Sequence, residues 1–95
     1  MLFAIHAKDK AGAQPIRAAN FEAHKAHLSG ASSQGVAIVM SGPLVADDGA
    51  TTIGSLFVVE AADRETVERF HRADPFHVAG IWREVAIDAF LRRIG

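Results

Sequence analysis

Short apolar runs, interrupted by glycine, proline and charged residues, follow one another along the chain. Residues 2–7 are almost all apolar and too few for a helix, and a charged, glycine-containing segment follows them. This pattern predicts a buried first strand and then a loop. Pro15 suits the first turn of a helix, and the alanine-rich segment from Ile16 to about Ser32 predicts the first helix. Phe21, Ala18 and Leu28 form its inward stripe at three-to-four spacing.

The middle of the chain predicts a hairpin. Val36–Met40 is a continuous apolar run typical of a buried second strand, and the Ser-Gly-Pro segment 41–43 is expected to end it. Residues 47–49, Asp-Asp-Gly, carry a turn signal. Ile53–Glu60 then predicts a third strand that pairs with the second.

A second helix and a last strand are predicted in the final third of the chain. Asp63 is a suitable N-cap for a helix that runs to Arg72. Asp74, followed by proline, is expected to end that helix and to begin a short helical turn closed by Gly80. The segment from Ile81 to about Arg92 alternates like a strand, with Val85, Ile87, Ala89 and Leu91 on one face and Trp82, Glu84, Ala86, Asp88 and Phe90 on the other.

The order of elements, β-α-β-β-α-β, predicts an α+β fold of the ferredoxin-like type, in a single domain spanning residues 1–95. Such a fold has a four-stranded antiparallel sheet with both helices on one face. The strands are apolar on both faces, as the first strand shows with Phe3 and Ile5 on one side and Leu2 and Ala4 on the other. Because two helices cover only one face, we expect a homodimer whose sheets pack face to face.

Composition and charge argue against several classes of function. Of 95 residues, 10 are Lys or Arg and 11 are Asp or Glu, so the basic excess typical of phosphate-binding proteins is missing and we expect no nucleic-acid partner. The absence of cysteine excludes disulfides, zinc–thiolate sites, iron–sulfur clusters and a cysteine nucleophile. No apolar run approaches the ~20 residues of a membrane span, and the N-terminus has no basic signal-peptide region. We therefore expect no membrane association and a cytoplasmic location.

Five histidines, His6, His24, His27, His71 and His77, are the groups that titrate near neutral pH. His24 lies on the inward stripe of the first helix, so it is either a hydrogen-bonded core histidine or a catalytic base at the edge of a cavity. His24 and His27 are three residues apart and could chelate a metal ion. Since no HExxH motif or carboxylate cluster accompanies them, we expect no metal site.

Two further segments allow a structural and a functional interpretation. Asp74 is explained as a helix cap, but its second carboxylate oxygen could also orient an imidazole, and spacing alone does not decide. The segment after the second strand is either a strand terminator or a ligand contact, in which Gly42 lets the backbone approach a ligand and Ser41 offers a hydroxyl. His77 is near enough to Asp74 to border a site. Phe57, Trp82 and Phe90 are expected in the core or at an interface rather than as a stacking platform.

Three segments resemble the YCII-related (YciI-like) family. They are residues 21–28 (FEAHKAHL), residues 41–61 (SGPLVADDGATTIGSLFVVEA) and residues 73–85 (ADPFHVAGIWREV), and the third is the most specific. The resemblance implies a dimeric α/β barrel built from ferredoxin-like protomers, with an active site of one His and one Asp, which fall on His24 and Asp74. Phe21 replaces an arginine of the family pattern and Lys25 replaces a leucine, which leaves Lys25 or Arg17 to recognise an anion there.

The resulting hypothesis is a small-molecule enzyme that needs no cofactor. His24 would act as general acid and base and Asp74 would hold its tautomer, in a proton transfer, an isomerisation or an elimination such as the dehydrohalogenation that some relatives perform. The candidate substrate-binding residues are Ser41, Gly42, His27 and His77. The alternatives are a non-catalytic small-ligand-binding or accessory module, and a haem- or cofactor-using monooxygenase-like barrel, for which the sequence offers no motif.

Overall fold

Four strands and three helices make up the chain. A computed structural model describes all residues from 1 to 95. The elements are β1 (Leu2–Asp9), α1 (Gln14–Ser29), β2 (Ala37–Val45), β3 (Thr52–Glu60), α2 (Arg64–Arg72), α3 (Pro75–Val78) and β4 (Trp82–Phe90), with a 3-10 turn (Ala31–Gln34) between α1 and β2. This order confirms the predicted α+β, ferredoxin-like fold.

The four strands form one antiparallel sheet in the order β2-β3-β1-β4. On the central strand β1, Ile5 lies opposite Phe57 of β3 and opposite Ile87 of β4. Since directly opposite residues share a face, this register brings the buried Phe3, Ile5 and Ala7 to the helix-covered face. The core between the sheet and the helices is completed mainly by Val36, Phe57, Val59, Val67, Phe70, Phe76 and Ile81.

Both predicted N-caps are present. Oδ1 of Asp63 accepts hydrogen bonds from the backbone N–H of Thr66 at 2.8 Å and from its hydroxyl at 2.7 Å, and these two bonds lower the pKa of Asp63. Oδ1 of Asp74 accepts the backbone N–H of Phe76 at 2.9 Å, which begins α3. Gly80 follows α3 with a φ of +73°, a conformation that favours glycine.

Two predicted boundaries are wrong. The prediction that residues 41–43 end the second strand fails, because β2 continues through them to Val45. The strand accommodates Pro43 because β2 is an edge strand, where a missing N–H is tolerated. It also carries an irregularity between Ile38 and Met40 that adds one residue to the strand. Helix α1 ends at Ser29 instead of about Ser32, and the 3-10 turn takes the remaining residues.

The face predicted for Trp82 is also wrong. Lys8 pairs with Glu84, but the next residue, Asp9, pairs with Trp82, so Arg83 is an extra residue in β4. Such a bulge reverses the alternation of side chains before it. Trp82 consequently joins the core at 8% exposure, instead of sharing a face with Glu84.

The second face of the sheet carries no helix. Its residues alternate with the buried ones, and many are apolar: Leu2, Ala4, Met40, Leu44, Leu56, Val58, Ala86 and Phe90. We call this set the open face.

Among the helices, none has the length and apolar character required to cross a membrane.

Gly54 brings β1, β2 and β3 close together. A Cβ atom on this residue would lie 2.2 Å from the carbonyl oxygen of Ala7 and 3.0 Å from the side chain of Leu44. Because the nearer atom belongs to the backbone of the central strand, it cannot move aside cheaply. Glycine at position 54 therefore allows β3, the strand that carries Ser55, to lie this close to β1.

Candidate active site

A cavity of about 150 Å³ lies between α1 and the half of the sheet formed by β2 and β3. Helical spacing places side chains of α1 at three-to-four intervals along one wall. The opposite wall consists of the middle of β2 and the inward residues of β3. The lining residues are Phe21, His24, Lys25, Leu28, Ser41, Gly42, Pro43, Ser55 and Phe57.

His24 is the one buried residue of α1, with 8% of its surface exposed. Its ring stacks on Phe76, with centroids 3.9 Å apart and planes 10° apart, and meets Phe57 edge-on at 6.0 Å. Phe21, expected on the inward stripe, is instead 47% exposed. It lies over the cavity rather than in a packed core. An imidazole is thus the most deeply placed side chain of this helix.

Asp74 holds the imidazole of His24. Nδ1 of His24 lies 2.8 Å from Oδ1 and 3.0 Å from Oδ2 of Asp74, which is 2% exposed. Because a carboxylate only accepts hydrogen bonds, a neutral imidazole paired with it carries its hydrogen on Nδ1 and keeps its lone pair on Nε2. Nε2 makes no hydrogen bond to the protein. Because Oδ1 of Asp74 also accepts from Phe76, the capping and the orienting roles are present together.

The other predicted binding residues separate into two groups. Ser41 and Gly42 line the cavity with His24. His27 does not, because its Nε2 pairs with the carbonyl oxygen of Phe70 at 2.9 Å and its ring stacks on Phe70. His24 and His27 are therefore engaged with different partners, and no group of three or more His, Asp or Glu side chains is arranged to hold a metal ion.

His77 also lies outside the cavity. Its ring is 5.1 Å from that of His71, and both residues line a separate depression beside β4. His71 is buried and stacks on Trp82, with centroids 5.0 Å apart. Burial is the main reason that the pKa of His71 is lowered to about 4, and the nearby His77 adds to the effect. His71 is thus a neutral core imidazole near pH 7, and His77 lies beside it rather than beside His24.

Of the two cations considered for anion recognition, Lys25 is the one that lines the cavity. Its Nζ lies 5.2 Å from the ring centroid of Phe21 and 3.8 Å from Glu22. Arg17 lies deeper and is occupied: its Nε and Nη2 donate to the two carboxylate oxygens of Asp9, each at 3.2 Å.

Sequence reasoning missed Ser55. Nη2 of Arg17 donates to Oγ of Ser55 at 2.7 Å and to the carbonyl oxygen of Gly54 at 2.8 Å. Ser55 is 3% exposed and lines the cavity. A signal was present in the sequence, because Ser55 holds the same phase of β3 as the buried Phe57 and Val59. A hydroxyl at a core-facing position needs a polar partner.

Known proteins are similar to this chain in sequence. The profile of the YCII-related domain family matches residues 1–91. The proteins called YciI of Escherichia coli and Shigella flexneri are each 32% identical to this chain over 95 residues, covering 95% of the chain and 96% of the relative.

Solved structures resemble it as well. One is 5-chloro-2-hydroxyhydroquinone dehydrochlorinase (TftG) from Burkholderia phenoliruptrix in complex with 2,5-dihydroxybenzoquinone. It is 30% identical to this chain, with a TM-score of 0.85, and the match covers 98% of this chain and 96% of that one. A protein from Arabidopsis thaliana, 17% identical with a TM-score of 0.54 over 99% of this chain and 97% of its own, shares the fold alone.

Proposed function

This chain belongs to the YCII-related domain family, and from that premise we propose that it is a small-molecule enzyme in which His24 is the general acid–base and Asp74 its orienting partner. The observation that carries the proposal is the 2.8 Å contact between Nδ1 of His24 and Asp74 beside a cavity. A histidine that serves only the core is expected to have both ring nitrogens satisfied or surrounded by apolar atoms. Here one nitrogen is held by a carboxylate and the other remains available.

The arrangement supports proton transfer. Nε2 of His24 takes a proton from the substrate, and the imidazolium that forms is stabilised by the carboxylate of Asp74. In an isomerisation the same proton returns at another atom. In an elimination the electron pair left on the substrate forms a new π bond while a halide departs with its bonding electrons, so the net loss is one hydrogen halide.

The size and lining of the cavity favour a compact substrate. Phe21, Phe57 and Leu28 give it apolar walls, whereas Ser41 and Ser55 offer hydroxyls. The structural relative named as a dehydrochlorinase binds 2,5-dihydroxybenzoquinone, a small ring that carries oxygen atoms. We therefore propose an oxygen-bearing small molecule as the substrate class.

The test is chloride release from 5-chloro-2-hydroxyhydroquinone, with His24→Ala and Asp74→Asn compared with the unchanged chain. General acid–base catalysis contributes ~10²- to 10⁴-fold, so we expect losses of that order for His24→Ala. Glu65→Gln, a change of an exposed titratable residue of α2 outside the cavity, is the control and should retain turnover. Full turnover by His24→Ala would overturn the assignment. Saturable binding of 2,5-dihydroxybenzoquinone without turnover would instead favour the non-catalytic binding module.

We further propose that two copies associate through the open face. The helices shield only the opposite side of the sheet, and exposed apolar residues of the open face include Met40 at 56% and Phe90 at 45%. An isologous contact between two such faces removes this surface from water. The support is the apolar character of a face that no element of the chain covers.

A further inference from the structure

We propose that Ser55 is the hydrogen-bond donor of the cavity, which presents its hydroxyl proton to an oxygen atom of the substrate, and that Arg17 and Asp9 are its positioning residues. The inference rests on the proposed function, because it concerns the charge that His24 creates on the substrate. The ligand class it specifies is a small molecule with an enolisable carbonyl or a phenolic hydroxyl.

The hydroxyl of Ser55 accepts a hydrogen bond but donates none to the protein. Oγ accepts from Nη2 of Arg17 at 2.7 Å, and a guanidinium has donors but no acceptor. The hydroxyl proton of Ser55 must therefore point elsewhere, and no acceptor of the protein receives it. Since Ser55 is 3% exposed and the cavity is one of its neighbours, a ligand in that cavity is the natural acceptor.

Arg17 is built into the fold rather than free to reach a ligand itself. Its side chain is 12% exposed and that of Asp9 only 6%, and the two form a forked ion pair. A further bond to the carbonyl oxygen of Gly54 fixes the guanidinium beside β3. Because a donated hydrogen bond from a cation polarises the hydroxyl that receives it, Ser55 becomes a stronger donor.

One aromatic ring positions both halves of the site. The guanidinium carbon of Arg17 lies 4.9 Å from the ring centroid of Phe76, on which His24 also stacks at 3.9 Å. Phe76 is fully buried in α3, two residues after the N-cap Asp74. The base and the proposed donor are thus held relative to each other by the same rigid ring.

The chemistry explains why such a donor is useful. When His24 removes a proton from a hydroxyl, the electron pair stays on that oxygen atom. When it removes a proton from a carbon next to a carbonyl, a carbon–carbon double bond forms and the carbonyl π electrons move to the carbonyl oxygen. A preorganised donor in a site with little water stabilises that developing charge. Ser55 donates a hydrogen bond but keeps its proton, so the only proton transferred is the one that His24 takes.

The experiment measures binding of 2,5-dihydroxybenzoquinone by its visible spectrum over a range of pH. We expect the unchanged chain to bind the ionised form preferentially and to lower the pH at which the bound probe ionises. Ser55→Ala should weaken binding of that form about 10- to 100-fold, the loss expected for a hydrogen bond to a charged group. Ser32→Ala, the same change at an exposed serine outside the cavity, should bind like the unchanged chain.

Two more variants separate the donor role from a packing role. Ser55→Thr keeps a hydroxyl and should restore most of the affinity and the spectral shift. Arg17→Met removes the bond to Ser55 and should reduce the spectral shift even when the probe still binds. Unchanged affinity and spectrum in Ser55→Ala, with only a lower thermal midpoint, would overturn the inference, as would the absence of saturable binding by the unchanged chain.

The two proposals fail in different ways. If Ser55→Ala binds the probe normally while His24→Ala loses turnover, the donor assignment is wrong and the acid–base assignment stands. If Ser55→Ala loses the ionised probe while His24→Ala retains turnover, the acid–base assignment is wrong and Ser55 remains the donor.

Discussion

Oδ1 of Asp74 lies 2.8 Å from Nδ1 of His24, and the same oxygen accepts the backbone N–H of Phe76 at 2.9 Å. One atom therefore serves the helix cap and the imidazole together. This arrangement leads to different expectations for Asn and for Ala at position 74.

Asp74→Asn should separate the two roles. Asparagine is also a good N-cap, so we expect a small change in the free energy of unfolding but a large loss of turnover, because the charge that stabilises the imidazolium is gone. Asp74→Ala should lose the cap, about 1 kcal/mol, and leave His24 without its partner, about 1–3 kcal/mol more. Urea denaturation and turnover measure the two effects. Equal destabilisation by both variants would contradict the shared-atom interpretation.

Gly54→Ala should destabilise the fold strongly. The added Cβ would lie 2.2 Å from the carbonyl oxygen of Ala7, and overpacking of this kind costs about 1–3 kcal/mol or more. Gly30→Ala is the matched control, since its nearest contact would be 3.7 Å away and its φ is −93°. Thermal unfolding should show a clear drop for Gly54→Ala and almost none for Gly30→Ala. A similar midpoint for both variants would show that the strands separate easily.

His71 should make the fold sensitive to acid. Its pKa falls from 6.5 to about 4 on folding because burial disfavours the charged ring. The unfolded chain therefore binds a proton that the folded chain does not, and stability should fall as the pH drops from about 6.5 to about 4. His71→Phe preserves an aromatic ring against Trp82 and removes the group that binds this proton in the unfolded chain. Urea midpoints across that range should decline less for His71→Phe, and parallel curves would contradict the expectation.

Val58→Glu tests the open face. Val58 lies in the middle of β3 opposite Ala4 and Met40, both open-face residues. A charge there should prevent two faces from packing. We expect sedimentation to give twice the 10.1 kDa chain mass for the unchanged protein and the mass of one chain for Val58→Glu. Val78→Glu, at a residue 75% exposed on α3, is the control and should stay dimeric. A monomeric unchanged protein would refute the dimer.

Local patterns predicted most of the fold. Apolar runs, two capping aspartates and a turn signal were enough to order the six main elements, because each depends on neighbouring residues. The misplaced boundaries and the face of Trp82 have another origin. Whether proline is tolerated depends on β2 being an edge strand, and the side of Trp82 depends on an extra residue in the pairing with β1. Both are properties of the assembled sheet.

The site was less accessible from the sequence. His24 and Asp74 are 50 residues apart, so no spacing rule joins them, and the resemblance to a family selected that pair. Residue type alone kept His27 and His77 as candidates, whereas contacts with Phe70 and His71 direct them elsewhere. Ser55 was overlooked because a serine within a strand attracts attention only when its partner, Arg17, is known.

The proline in β2 has a consequence beyond the position of the strand boundary. Residue 43 has no amide hydrogen to offer to a foreign chain that approaches the outer side of the sheet. Unpaired N–H and C=O groups along an edge strand are a template for pairing with another chain, and a proline weakens that template. The β2 edge of the sheet therefore lacks one of the donors that an added strand beside the cavity would use.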